Sequence, residues 1–405
     1  MPRRRYARAL QEETGQPTVA PQQAKPAQAQ ANTNPMIAMQ RLIGNAAIQR
    51  FGGLNEPDSG ALGPNSTSTT SNTTTTNTTA STTPQAPGLL SADGVVRAMS
   101  YYNIRAADYP PHIISQIQGA LGVAETGRAT PEMVQAVADF QSQNGLAVDG
   151  MAGPRTLPAI FEQGLDTEQT EEVFADEALD ALDQWDSKSP EERAQALIDA
   201  ANAGLAEHKI SECTSTIVDL NVLAQFDFTT WNIELGKGVF EAATISNADY
   251  ADAANTVYHE SRHAEQWFSM ARLLAGQGKT AQEIATQMGI PLNIANEAAA
   301  LPYQPGSMEA LVANGWYESV YGVDADYRNK TLTDLEKAGT DLEAAEADLA
   351  ANDTPANRAK VATLRQKRQK LYDEYHNLPE ETDAHRVGDA IEARILLKAE
   401  LPDEG

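Results

Sequence analysis

The stretch Thr256–Arg272, TVYHESRHAEQWFSMAR, decides the reading of the chain. It places His259 and His263 four residues apart, with Glu260 beside the first. Residues i and i+4 share one face of an α-helix, so both imidazoles can aim a ring nitrogen at one ion. Glu260 stands next to them as a general base toward water activated by that ion. Zn2+ suits such donors and brings the pKa of a water it binds down to about 7. The surroundings fit a helix. Ala251, Ala254, Val257 and Tyr258 precede the motif, Trp267, Phe268 and Leu274 follow it, and no Pro or Gly interrupts before Gly276. The bland alternative is an incidental pair of core or surface histidines. The chain holds only six histidines, which makes a chance match to the spacing rare.

Two histidines do not complete a zinc site. With one cysteine in the chain, Cys213, the third ligand must be a His or a carboxylate, and no His lies between His263 and His376. Two carboxylates stand out, Glu297 in ANEAAALPY and Glu381 in YHNLPEETDAHRVGDAI. Glu381 is preferred. Pro379 opens a helix on which Glu381, Ala384 and Gly388 share a face, and the small residues allow close approach of the motif helix. Glu380 and Glu381 read otherwise as ordinary first-turn acids facing the helix dipole. His385, one turn after Glu381, is the candidate for steadying a ligand or an oxyanion, or is simply exposed.

Upstream, AQFDFTTWNIELGKGVF contains the best strand, Phe226 to Leu235, ended by Gly236 and placed to lie over the cleft as a sheet edge. Ser189-Pro190-Glu191-Glu192 is a capping box with Pro at the first helical position. Downstream, Leu335, Ala338, Leu342, Ala345 and Leu349 step by three and four. After a turn at Asn352–Pro355, Val361, Leu364, Arg368, Leu371 and Tyr375 do the same. Residues 331–376 are therefore expected to form an antiparallel helical hairpin, an insertion whose acidic first arm attracts a basic second arm.

The N-terminal part has a different character. Residues 1–34 are rich in Gln, Ala, Pro and Arg and are expected to be disordered. In residues 35–52, Met36, Met39, Ile43, Ala47 and Phe51 fall at helical spacing. Residues 53–88, with their Thr/Ser/Asn-rich run, form a polar linker. Residues 89–165 read as a compact helical module, 166–188 as an acidic connection and 189–405 as the domain that carries the motif. The fold class expected is mainly α with a small sheet, an α+β arrangement.

Acidic residues outnumber basic ones 56 to 30, a formal charge of −26, which argues against a nucleic-acid partner and an anionic membrane surface. No apolar run approaches the ~20 residues of a membrane span. The basic N-terminus has no apolar stretch behind it, so no secretory signal is expected. Such a protein is cytoplasmic or leaves by a route that reads no signal peptide.

Three resemblances extend this reading. TVYHESRHAEQWFSMAR together with YHNLPEETDAHRVGDA resembles gluzincin-type metallopeptidases found among bacterial toxins and contractile-injection-system cargo. The resemblance implies a zincin-like hydrolase acting on a protein or peptide, with His259 and His263 as zinc ligands and Glu260 as catalytic base. Glu381-Thr382-Asp383-Ala384 fits the family's E-x-[DE]-A setting and implies Glu381 as third ligand. The departure is the distance between the two halves, which the hairpin separates. Second, IISQIQGALGVAETGRATPEMVQAVADFQSQNGLAVDGMAGPRTLPAI resembles the three-helix peptidoglycan-binding domain. The match runs through Ile117, Gln118, Leu121, Val137, Phe140, Gln141, Gly145-Leu146, Val148-Asp149-Gly150, Gly153-Pro154 and Thr156. It implies peptidoglycan as a partner of residues 89–165, with Ile117, Leu121, Val137 and Phe140 in the core. Third, MQRLIGNAAIQRF resembles the short L-Q-R-x-I-G-N-x-A segment of proteins encoded with extracellular contractile injection systems, with Met39 in place of Leu. That implies a loading tag for tube or sheath components of an injection particle, and delivery outside the cell or into a target cell.

Overall fold

The computed structural model describes residues 89–220 and 222–400. The expectations for the disordered N-terminus, the tag-like segment and the Thr-rich linker lie outside them.

The first helices are α1 (Ala92–Ile104), α2 (Pro111–Ala120), α3 (Pro131–Gln143) and the short α4 (Leu157–Ile160). Ile117 and Val137 are fully buried between them, whereas Leu121 and Phe140, expected in the core, are only half-buried. Two buried glutamines take over part of that work. Gln118 Oε1 accepts the N–H groups of Thr126 and Gly127, and Gln141 Oε1 accepts those of Asp149 and Gly150. Their amides donate onward to the Arg128 and Met151 carbonyls. Each glutamine thus satisfies the loop that follows its own helix, which an apolar side chain could not do.

Next come α5 (Glu168–Leu182) and α6 (Pro190–Glu207), the second opened by the Ser189–Glu192 capping box. The sheet has three strands in the order β1-β3-β2, with β1 (Thr214–Val218) parallel and β2 (Ala224–Asp227) antiparallel to β3 (Asn232–Gly236). The single strand expected over Phe226–Leu235 is therefore two strands and a turn. Asp227 Oδ1 accepts the Thr229 N–H at 2.9 Å, and Trp231 takes a left-handed φ of 59°.

After α7 (Lys237–Phe240), α8 (Asn247–Gly276) is a 30-residue helix through the middle of the molecule. Helices α9 (Ala281–Met288), α10 (Leu292–Ala299) and α11 (Met308–Val320) pack around it. Helices α12 (Ala325–Ala351) and α13 (Pro355–His376) form the hairpin, crossed by Arg365–Glu346 and Lys360–Asp348 ion pairs at 2.8 and 3.1 Å. Helix α14 (Pro379–Glu400) then returns along α8. A Cβ added to Gly388 would sit 2.2 Å from Asn255 Oδ1, so these two helices approach as closely as a glycine permits. Among the described residues no helix is long and apolar enough to cross a membrane.

Candidate metal centre

Every residue of α8 from Thr256 to Ala271 is buried. A helix buried on all sides is ordinarily apolar all round. This one buries His259, Glu260, Ser261, Arg262, His263, Glu265 and Gln266 instead. Each such group costs free energy unless it is paired.

His259 and His263 present their Nε2 atoms to each other at 3.1 Å. Glu381, from the first turn of α14, places Oε2 3.4 Å from His263 Nε2 and 3.8 Å from His259 Nε2. The three donor atoms lie within 4.8 Å of one another, and all three side chains are buried. Glu381 Oε2 makes no hydrogen bond. Glu297, the other carboxylate considered, is exposed on α10, accepts the Ser211 hydroxyl at 2.6 Å, and is not part of the cluster.

The surroundings fix how His263 is used. Gln266 Nε2 donates to the Glu380 carbonyl and to Asp383 Oδ2, both at 2.9 Å. Its Oε1 therefore faces His263 Nδ1 at 2.8 Å, and that nitrogen must carry the proton. In the neutral ring the Nε2 lone pair then points into the cluster. An orienting partner of this kind is what a metal-ligating imidazole needs. His259 is hydrogen bonded to the backbone of Ala384, next to Asp383 on α14.

The electrostatics match the donor set. Burial opposes a charge on His263, but Glu381 and Glu260 outweigh it and lift its pKa to about 9. Burial likewise opposes ionisation of Glu381, yet His263 and the Tyr375 hydroxyl hold it down at about 2. The pocket favours one positive charge among these side chains, whether a proton on His263 or an ion held by all three. His/His/carboxylate donors of this kind fit zinc.

Glu260 is fully buried beside this cluster, and its Oε2 accepts the Phe226 backbone N–H of β2 at 2.8 Å. Tyr375, from the end of α13, is also fully buried, and its hydroxyl is among the groups that hold Glu381 ionised. The base of the hairpin therefore brings a side chain to the site, while the charges along its arms stay exposed. Arg328 of α12 adds a second link, to the buried Glu380 at 2.6 Å. His385 is half-buried rather than exposed and lies outside the three-donor cluster. Its ring meets His259 edge-on at 4.5 Å and stacks on His376 at 4.4 Å. Burial first, and His376 next, push its pKa down to about 4, so it is neutral near pH 7.

Under the cluster lies a buried ion network. Arg262 donates from Nε to Asp383 at 2.9 Å and from Nη1 to Glu265 at 2.6 Å. Arg386 bonds both Asp166 and Asp383. Burial pushes Asp166 up to about 7 against the pull of Arg386 and Arg262. Asp383 links this network to Gln266 and so to His263.

A cleft of about 340 Å³ runs between the N-terminal helices and α11, α13 and α14. Tyr101, Arg105 and Asp149 line one wall, and Glu318, His376 and Thr382 the other. The three clustered donors do not line it, although Thr382, next to Glu381 in the chain, and His376, which stacks on His385, do. Residues 115–160 match the family model of the peptidoglycan binding domain. No curated protein and no solved structure matches the chain. The matched span covers α2, α3 and α4, and α1 adds to the peptidoglycan-binding domain from outside it: Tyr102 Oη accepts the Ala152 N–H at 2.7 Å. The domain is seated on the rest of the chain. His112 bonds the Gly306 carbonyl at 2.9 Å, and a Cβ on Gly315 would meet Pro154 at 2.7 Å.

Sequence reasoning missed Gln266, Arg262 and Tyr375 as parts of the centre. Gln266 had a legible signal, since it stands three residues after His263 on the same helix face.

Proposed function

We propose that this chain is a zinc-dependent peptidase whose peptidoglycan-binding domain brings it to cell-wall material. The observation that carries the proposal is the convergence of three buried donors, His259, His263 and Glu381, beside a buried carboxylate, Glu260. Zinc held there supplies Lewis acidity, polarising a carbonyl and bringing the pKa of a water to about 7. Glu260 takes the proton at the oxygen not tied to Phe226 and returns it to the leaving amine. Gln266 keeps the proton of His263 on Nδ1, so that Nε2 serves as donor. The arrangement supports peptide hydrolysis because it unites a ligand set, a base and a steadying partner for each.

The ligand assignment is tested by zinc affinity in competition with a chelator. His259→Ala, His263→Ala and Glu381→Ala should each weaken zinc binding by about 10-fold or more, while Glu297→Ala leaves it unchanged. A Glu381→Ala protein that keeps full affinity would remove Glu381 from the set.

A second reading is favoured by the domain match: a peptidoglycan-binding or particle-associated protein whose centre is structural. Hydrolysis that depends on Glu260 separates the two. We further propose that the chain is cargo of a contractile injection system, captured through residues 35–52. Removing residues 1–52 should leave zinc content intact and abolish co-purification with particles. Undiminished co-purification of the truncated protein would place capture elsewhere.

A further inference from the structure

The clustered donors are closed off from solvent. His259, Glu260, His263 and Glu381 are each 5 % exposed or less. Neither the cleft beside the peptidoglycan-binding domain nor the cavity around Arg272 and Tyr303 is lined by any of them. On one side the cover is the end of β2 and the turn after it, residues 226–230. The Phe226 N–H donates to Glu260 Oε2 at 2.8 Å. Further along α8, the Phe228 ring stacks on Trp267 with centroids 5.6 Å apart, and Phe226 meets the same indole edge-on at 6.4 Å. Trp267 in turn meets His263 edge-on at 5.9 Å, and its N–H donates to the Tyr321 hydroxyl at 3.0 Å. The segment therefore rests on α8 at two places, on the carboxylate and on a ring packed against a donor.

The spacing leaves no room for a substrate. A peptide laid along a strand edge sits ~4.8 Å from it. The reacting group must also come within about 3 Å of the base. Here the carboxylate proposed as base touches the strand itself, so a peptide enters between β2 and α8 only if that contact opens. The segment is built to move as one piece. Asp227 accepts the Thr229 N–H and hydroxyl at 2.9 and 2.6 Å and the Thr230 hydroxyl at 2.8 Å, which holds the turn to itself. Beyond the turn, Trp231 is buried and donates its indole N–H to the Ser211 carbonyl at 3.1 Å, a fixed point at the far end. Lifting the turn undoes only the last pairs of the β2–β3 ladder, Phe226 with Ile233 and Asp227 with Asn232.

We propose that residues 226–230 are a strap that closes the candidate centre, held down by Phe228 on Trp267, and that metal and substrate pass to and from solvent when it lifts. This rests on the zinc reading of His259, His263 and Glu381. The competing account is that Phe226 and Phe228 are core aromatics only, burying apolar area, with access to the centre from another side.

The experiment uses the full chain and its Phe228→Ala, Phe228→Leu and Val361→Ala variants. Loss of bound zinc to excess EDTA is followed in time, and amide hydrogen exchange of residues 226–230 is read on the zinc-free proteins. Phe228→Ala removes the stacked ring and should speed both by about 10-fold or more, the equivalent of losing one aromatic pair, with the starting zinc content unchanged. Phe228→Leu keeps an apolar side chain in the seat without the stacking, and should move both the same way by less. It carries the test if the alanine variant does not fold. Val361→Ala opens a cavity in the separate core of the hairpin and should lower the melting temperature with both rates as in wild type. Wild-type zinc release or wild-type exchange in the Phe228 variants would overturn the inference while leaving the zinc reading intact. Equal acceleration in Val361→Ala would overturn it too, by tracing the effect to general loosening. A wild-type protein that takes up no zinc would remove the zinc reading and the inference together.

Discussion

If the chain is the zinc peptidase proposed above, replacing Glu260 by Gln should leave zinc content at the wild-type level and lower peptide hydrolysis by about 10²–10⁴-fold, the range of general-base catalysis. The substitution is close to isosteric. Gln can still accept the Phe226 N–H that Glu260 Oε2 now accepts at 2.8 Å, so the side chain has reason to keep its place. The variant loses the capacity to take a proton and the negative charge beside His263. Zinc content by elemental analysis and hydrolysis of purified peptidoglycan and of peptide libraries are measured side by side. Hydrolysis that survives unchanged would show that Glu260 is not the base, and a variant without zinc would show that it is part of the metal shell.

Arg262→Met should cost about 3–5 kcal/mol of stability at neutral pH, the range for removing one partner from a buried ion pair. Met fills most of the volume but leaves Arg386 alone among Asp166, Asp383 and Glu265. The sign of the pH dependence follows. Burial already holds Asp166 above the usual carboxylate range, and losing a cation beside it raises it further. The protonated forms then stabilise the fold at low pH, and that contribution is lost as pH rises. The deficit of the variant should therefore narrow between pH 7 and pH 5 in urea unfolding of the zinc-free protein. A deficit under about 1 kcal/mol at pH 7 would mean that the network is well hydrated and contributes little.

Legibility followed the range over which each signal acts. His259, Glu260 and His263 are read from helix periodicity alone, because i and i+4 meet on one face wherever the helix goes. Glu381 was reachable through the small residues Ala384 and Gly388, whose purpose is close approach between helices. Arg262 occupies a variable position of the motif, and its partner Asp383 lies 121 residues away, so nothing local announces the pair. Tyr375 sits at a periodic position of the hairpin and looks like any other core residue there. What sets it apart is where its hydroxyl ends, which only tertiary structure decides. The strand error has a local cause. Phe228–Trp231 is aromatic and Thr-rich, as strands are, and a tryptophan at positive φ is not the residue by which turns are recognised.

The seat of the peptidoglycan-binding domain has a consequence for how a polymer would be cut. A domain on a long flexible linker samples a volume, and its enzyme reaches whatever bond drifts past. Here Arg155 donates to the Asn377 carbonyl at 3.2 Å, two residues before α14 opens, and the Leu165 N–H donates to Glu265 of α8 at 3.0 Å. The domain is thereby tied to the turn before α14, and the segment that follows it to α8, the two helices that carry the clustered donors. If the domain grips a strand and the centre cuts it, as proposed, the strand would meet the centre at one offset, and the spacing of the cuts would be set by the protein's own dimensions, as marks are set by a ruler.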